Sequence, residues 1–217
     1  MCSSSPLYCG IEPNMPGCEA KIGQIIPNFK GKTLEGNINL HDWLGVSWGV
    51  VFTVSGAFGP ICTTEVGALA KRADVSYKEK LSFMSKWSIL HENTFVQEFE
   101  KRNCKLLGIS CDNMKTVIPW IRDIISLNNL KDFKINMLAD EGRQVVPNLG
   151  SIEPSYMDLL TGMPLPCRGL FIVDPNKILA TKSFLPWSFG MNIDYLLSII
   201  DQLQMLNKQG DWANNDW

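Results

Sequence analysis

Histidine is scarce in this 217-residue chain, with only His41 and His91, and no Cys-x-x-Cys pair occurs among its seven cysteines. Structural zinc is held by closely spaced Cys and His ligands, so no metal is expected, and no cofactor motif is present either. Excess charge of one sign is also missing: 20 Lys and Arg stand against 22 Asp and Glu, a net charge of −2. That balance gives no reason to expect a nucleic-acid partner or a polybasic membrane contact. The most apolar runs, Trp48–Val54 and Leu170–Val173, are strand-length, well short of the ~20 residues of a membrane helix, so no membrane span is expected. Met1-Cys2-Ser3-Ser4-Ser5-Pro6 lacks the basic-then-apolar layout of a secretory signal, and Cys2 stands where myristoylation requires a glycine. The cytoplasm is the expected compartment. The cysteines (positions 2, 9, 18, 62, 104, 111 and 167) are odd in number, which argues against a disulfide framework in such a chain.

What is present is an ordinary globular composition, 45% hydrophobic and 19% charged, enough for one sizeable domain with extensions. Residues 1–20, rich in Cys, Ser, Pro and Gly, read as an irregular arm. Strands are predicted at 28–30, 48–54, 106–110, 137–139, 170–174 and near 178–183. Helices are predicted at 63–72, 94–102, 115–125, 144–149 and 193–206. This alternation implies an α/β fold with a central sheet, largely parallel inside, and helices on both faces. Val173-Asp174-Pro175-Asn176-Lys177 reads as a hairpin turn. The interval from Cys62 to Asn103 is far longer than an average helix of about 11–12 residues. Its aromatic residues, Tyr77, Phe83, Trp87 and Phe95, suit either a second amphipathic helix or an insertion at about 73–95 with a contact surface. The tail 206–217 carries Trp212 and Trp217, which suit docking on the domain or on a partner.

Cys62 is the most informative residue. It follows the apolar strand 48–54 and opens a helix, where unpaired N–H groups and the positive dipole end favour a thiolate. A second candidate is Gly45-Val46-Ser47-Trp48-Gly49, a Gly-x-Ser-x-Gly pattern with His41 six residues before the serine. Ser47, however, leads into a strand, whereas a nucleophile elbow joins a strand to a helix.

The segment Phe58-Gly59-Pro60-Ile61-Cys62-Thr63-Thr64-Glu65-Val66-Gly67 resembles the active-site segment of the peroxiredoxins, especially the one-Cys type. Further matches follow in order at Ile26-Pro27-Asn28-Phe29, at 45–49 and 103–111, at Asp140-Glu141-Gly142, and at 162–168, so the resemblance spans roughly 21–205. It implies a thioredoxin-like three-layer sandwich: a central mixed sheet with helices on both faces. The family pattern is Pro-x-x-x-Thr-x-x-Cys plus a distant Arg. The Cys attacks the peroxide, the Arg supplies a fixed cation, the Thr hydroxyl hydrogen-bonds the reacting atoms, and the Pro shields the pocket. By position, Cys62, Arg168 and the Arg-orienting Glu65 are retained. The Thr position is Gly59, the Pro position Ser55, the family's preceding His Val54, and its second Arg Met191. Relatives with phospholipase activity match His41 and Ser47, but their Asp falls at Asn176, and a neutral amide cannot support an imidazolium as a carboxylate does.

The substituted pocket makes the leading expectation a non-catalytic peroxiredoxin-fold protein that binds other proteins. Tubulin or microtubules and a cytoskeletal location are suggested by similarity to the microtubule-associated thioredoxin-like proteins of apicomplexan parasites. The alternative is a one-Cys thiol peroxidase that reduces hydroperoxides through Cys62 and is recycled by an external thiol, no cysteine following Cys167. A slow redox sensor built on Cys62 is a third reading.

Overall fold

In the strand Trp48–Val54 alternate side chains serve two different cores, and this organises the molecule. The computed structural model describes residues 19–73, 98–157, 162–186 and 189–209. In chain order the elements are β1 (Lys30–Thr33), β2 (Gly36–Asn39), α1 (Leu40–Leu44), β3 (Trp48–Val54), α2 (Pro60–Ala73), β4 (Cys104–Ser110), α3 (Met114–Asn128), β5 (Asn136–Ala139), β6 (Ile152–Met157), β7 (Pro164–Pro166), β8 (Arg168–Val173), β9 (Leu179–Leu185) and α4 (Ile193–Gln209). Seven strands form one sheet in the order β2-β1-β5-β4-β3-β8-β9, and β6 pairs with β7 alone. The central strands β3, β4 and β5 are parallel, while β8, β9, β1 and β2 join antiparallel.

Trp48, Val50, Phe52 and Val54 face a core completed by α2, α3 and α4 through Val66, Leu69, Trp120, Ile124 and Ile200. Val51 faces the other core, with Leu107, Ile109, Phe171 and Val173, closed by Leu40 and Leu44 of α1 and by Val145, Val146 and Leu149. A sheet buried on both faces reads as continuous hydrophobic runs, which is why β3 and β8 were visible in the sequence. Helices cover both faces, with the three long ones on the same side. Gly108 of β4 is a close-approach position, because a Cβ there would lie 2.3 Å from Met137 Sδ and 2.9 Å from Phe52 Cζ.

The hairpin between β8 and β9 forms at the expected turn. Asp174 N–H donates to the Ile178 carbonyl (2.9 Å) and the Asp174 carboxylate accepts from Ile178 N–H (2.8 Å).

Four expected elements differ in type or extent. Residues 98–102, the described part of the helix expected at 94–102, form turns that close on Phe99 and Glu100 and feed β4. The helix expected at 144–149 shrinks to a 3-10 turn at Pro147–Leu149. There the Asp140 carboxylate takes the N–H groups of Gln144, Val145 and Val146 at 2.7–2.9 Å, which fixes that backbone as a loop around a buried acid. The strand expected at 28–30 begins to pair only at Lys30. Helix α4 runs to Gln209, into the expected tail. Residues 74–95 of the expected insertion, most of the N-terminal arm and residues 210–217 lie outside the described residues.

Candidate active site

Pro60 starts α2, where its missing N–H costs nothing and its fixed φ suits a first helical turn. Cys62 therefore sits in that first turn, 2% exposed, and Thr63 N–H closes the turn onto the Gly59 carbonyl at 2.8 Å. The turn is tied to α3 by Trp120, whose indole N–H donates to Thr63 Oγ1 at 2.9 Å. The loop before it is tied to the end of β4: Asp112 accepts from Ala57 N–H and from Ser110 Oγ, both at 2.7 Å. The turn that carries Cys62 is thus tied to two neighbouring elements.

Behind Cys62, the sheet contributes Arg168 at the start of β8. Arg168 and Glu65 form a buried ion pair. The guanidinium also donates to the Phe189 carbonyl at 2.9 Å, and Glu65 accepts from Met191 N–H. Burial draws the Arg168 pKa down, and the neighbouring Cys62 opposes that shift. Arg168 Nε has no hydrogen-bond partner among the described residues. The backbone carrying Arg168 is locked by Thr53, 3% exposed. Its hydroxyl bonds Ser151 Oγ, the Cys167 carbonyl and Gly169 N–H, each at 2.7 Å.

In front of Cys62, Ser55 Oγ lies 3.2 Å from Cys62 Sγ. A Cβ on Gly59 would stand 3.7 Å from the same sulfur, so Gly59 is adjacent to it but offers no side chain. Ser55 and Gly59 share with Gly56, Ala57, Leu165 and Pro166 a mostly apolar cavity of about 330 Å³, with Glu153 as its acidic wall.

The structure therefore brings Cys62, Glu65 and Arg168 together with Ser55 and Gly59. Val54 is buried in the core and Met191 packs against it; neither supplies a polar side chain to the site. His41, Ser47 and Asn176 are not assembled. His41 Nε2 bonds the Ile26 carbonyl (2.9 Å), Ser47 Oγ donates to Asn103 (2.9 Å), and Asn176 is exposed. Sequence reasoning missed Thr53, Ser151, Asp112 and Trp120. Thr53 could have been suspected as a hydroxyl within an otherwise apolar strand. The other three are joined to the site only by long-range packing. No cluster of three His, Cys, Asp or Glu able to hold a metal occurs among the described residues.

The AhpC/TSA family model matches residues 22–85 and 75–182. Over 94% of its length the chain is 34% identical to chicken (Gallus gallus) peroxiredoxin-6, covering 80% of that protein. The chain belongs to the peroxiredoxins. It is also 31% identical to the 1-Cys peroxiredoxin of Dictyostelium discoideum, over 99% of this peroxiredoxin and 78% of that one. Among solved structures it resembles a Cys-to-Ser mutant of peroxiredoxin 6 from Arenicola marina. The TM-score is 0.73 at 32% identity, covering 91% of this chain and 79% of the other. A yeast mitochondrial 1-Cys peroxiredoxin, described with a thiol resolving mechanism via glutathione/thioredoxin systems, gives a TM-score of 0.72 at 30% identity, with 91% and 82% covered. The fold is thioredoxin-like, of the peroxiredoxin type.

Proposed function

We propose that this protein is a thiol peroxidase of the one-Cys type, with Cys62 as the nucleophile and Arg168, oriented by Glu65, as the fixed cation beside it. One observation carries the reading: among the described residues Arg168 Nε is a buried donor without a partner, next to a cysteine in the first turn of α2. Leaving a buried donor unpaired costs about 1–3 kcal/mol, and a peroxide oxygen entering the site would satisfy it.

The Cys62 thiolate attacks one peroxide oxygen. An S–O bond forms, the O–O bond breaks, the sulfur is oxidised to a sulfenic acid, and the leaving hydroxide takes a proton to become water. Arg168 stabilises the charge shared by sulfur and the separating oxygens. An external thiol then attacks the sulfenic acid, expelling water to give a mixed disulfide, and a second thiol releases Cys62. A glutathione- or thioredoxin-type reductant fits this role, as in the yeast relative's description.

The relatives' names favour this reading over the protein-binding, microtubule-directed one that the substituted pocket suggested. That reading rested on aromatic residues within 73–95 and on the tail tryptophans, which lie outside the described residues. The test is the rate at which fully reduced protein consumes hydrogen peroxide, with Cys62→Ser as control. The expected result is a rate far above that of an ordinary exposed thiol, falling to background in the variant. A wild-type rate no better than a free thiol would overturn the proposal and return attention to binding.

A further inference from the structure

We infer that Ser55 is a catalytic residue, supplying the hydroxyl that the family pattern places at the position occupied here by Gly59. The inference rests on the peroxidase reading above and names a residue that the family pattern does not use in this way.

The family threonine donates a hydrogen bond to the reacting atoms from the turn before the cysteine. Gly59 offers only backbone there, yet a hydroxyl is still present at the sulfur: Ser55 Oγ stands 3.2 Å from Cys62 Sγ. It stands where the family has a proline, a residue that cannot donate through its side chain. The two departures from the pattern, one losing a hydroxyl and one gaining it, meet at the same atom.

Ser55 is well placed for the role. It follows Val54 directly, and Val54 is the last β3 residue in register with Ser110 of β4. The loop after it is pinned by Asp112 to Ala57 N–H. A donor fixed by a strand end and a bonded loop needs no reorganisation when charge develops near it. Ser55 is half-buried and lines the cavity of about 330 Å³ that Gly59 also borders. Ser55 Oγ–H donates to the thiolate before reaction and to the transferred oxygen as the S–O bond forms. Its own proton is neither lost nor gained, so the chemical balance is that given above.

The experiment measures two Cys62 rates in reduced protein, peroxide reduction and alkylation by iodoacetamide, with mass spectrometry following Cys62 alone. Ser55→Ala should lower the peroxide rate about 100-fold, the scale of one lost transition-state donor, and lower alkylation far less. Ser55→Thr, which keeps the hydroxyl, should retain most of the rate. Gly59→Thr placed in the Ser55→Ala background should recover it, since a Cβ at Gly59 meets no neighbour closer than 3.4 Å. Circular dichroism checks that each variant is folded. Ser55→Ala matching wild type, while Cys62→Ser is dead, overturns the role of Ser55 and leaves the peroxidase reading standing. Equal losses in peroxide reduction and alkylation mean a packing role and overturn it as well. A wild-type protein without any Cys62-dependent rate overturns both.

Discussion

The two walls of the Cys62 site are built on different principles. The rear wall is a buried polar network with one donor, Arg168 Nε, left over among the described residues: Arg168 on Glu65 and the Phe189 carbonyl, Glu65 on Met191 N–H, and Thr53 bonded to Ser151 and to the backbone on either side of Arg168. The front wall is a half-buried loop, where Ser55, Gly56, Ala57 and Gly59 border an open apolar cavity. A residue of the rear wall cannot change alone without stranding a buried charge or breaking several buried hydrogen bonds at once. Residues of the front wall can exchange with little loss of stability, and two of the chain's departures from its family's pattern, Ser55 and Gly59, lie there.

Breaking the rear wall should have the larger effect. Arg168→Met leaves the Glu65 carboxylate buried without its cation. It should lower unfolding free energy by about 3–5 kcal/mol and abolish most of the peroxide rate. Replacing both partners by apolar residues, Glu65→Leu with Arg168→Met, removes the stranded charge and should recover much of the stability with none of the rate. Urea unfolding and peroxide kinetics on the same preparations separate these outcomes. If the double variant were no more stable than the single one, the ion pair would not be the element that makes the rear wall resistant to change.

The same contrast is sharpened by exchanging one hydroxyl in each wall. Thr53→Val keeps the side chain's shape but loses the hydroxyl's three bonds, to Ser151 Oγ, the Cys167 carbonyl and Gly169 N–H, and should cost about 1–3 kcal/mol. Ser55→Ala, in the half-buried loop, should change stability by less than about 0.5 kcal/mol. The order should invert for chemistry, with Ser55→Ala costing more rate than Thr53→Val. Equal stability losses would erase the distinction between the walls.

The same physics decides what could be read from the sequence. β3 and β8 were legible because a strand buried on both faces must be apolar throughout, and the Asp174–Lys177 turn because its residue types dictate its geometry. Cys62 was legible from its place between an apolar strand and a helix start, and Glu65 and Arg168 through family resemblance. The turns at 98–102 were not, since their closure on Phe99 and Glu100 leaves no periodic signal. Nor was the loop at 144–149, where local pattern favoured a helix and one carboxylate, Asp140, captured the backbone donors instead. Ser55 read as the loss of a proline. Only its 3.2 Å approach to Cys62 turns that loss into a gained hydroxyl, and no spacing along the chain encodes such an approach.

The smallest expected effect concerns the cysteines outside the site. Cys104 lies at the opposite end of the central strands, paired across from Trp48, while the Cys62 site gathers at the Val54 end. Burial pushes the Cys104 thiol from 9.0 up to about 12, and that of Cys111, at the end of β4, to about 12 as well. Both pKa values are raised by folding. Below pH 9 the two thiols are therefore protonated in folded and unfolded chains alike, and their contribution to stability is fully present. Between pH 9 and 12 the unfolded chain sheds protons that the folded chain keeps, so stability should fall as pH rises. Urea midpoints measured from pH 8 to 10.5 should decline, and Cys104→Ala should flatten part of that decline even though it lowers the starting value. At pH 8 Cys104 should resist iodoacetamide in the folded protein and react once urea unfolds it. Labelling of native Cys104 as fast as that of Cys62 would show that position at a helix start does not distinguish the reactive thiol from its neighbours.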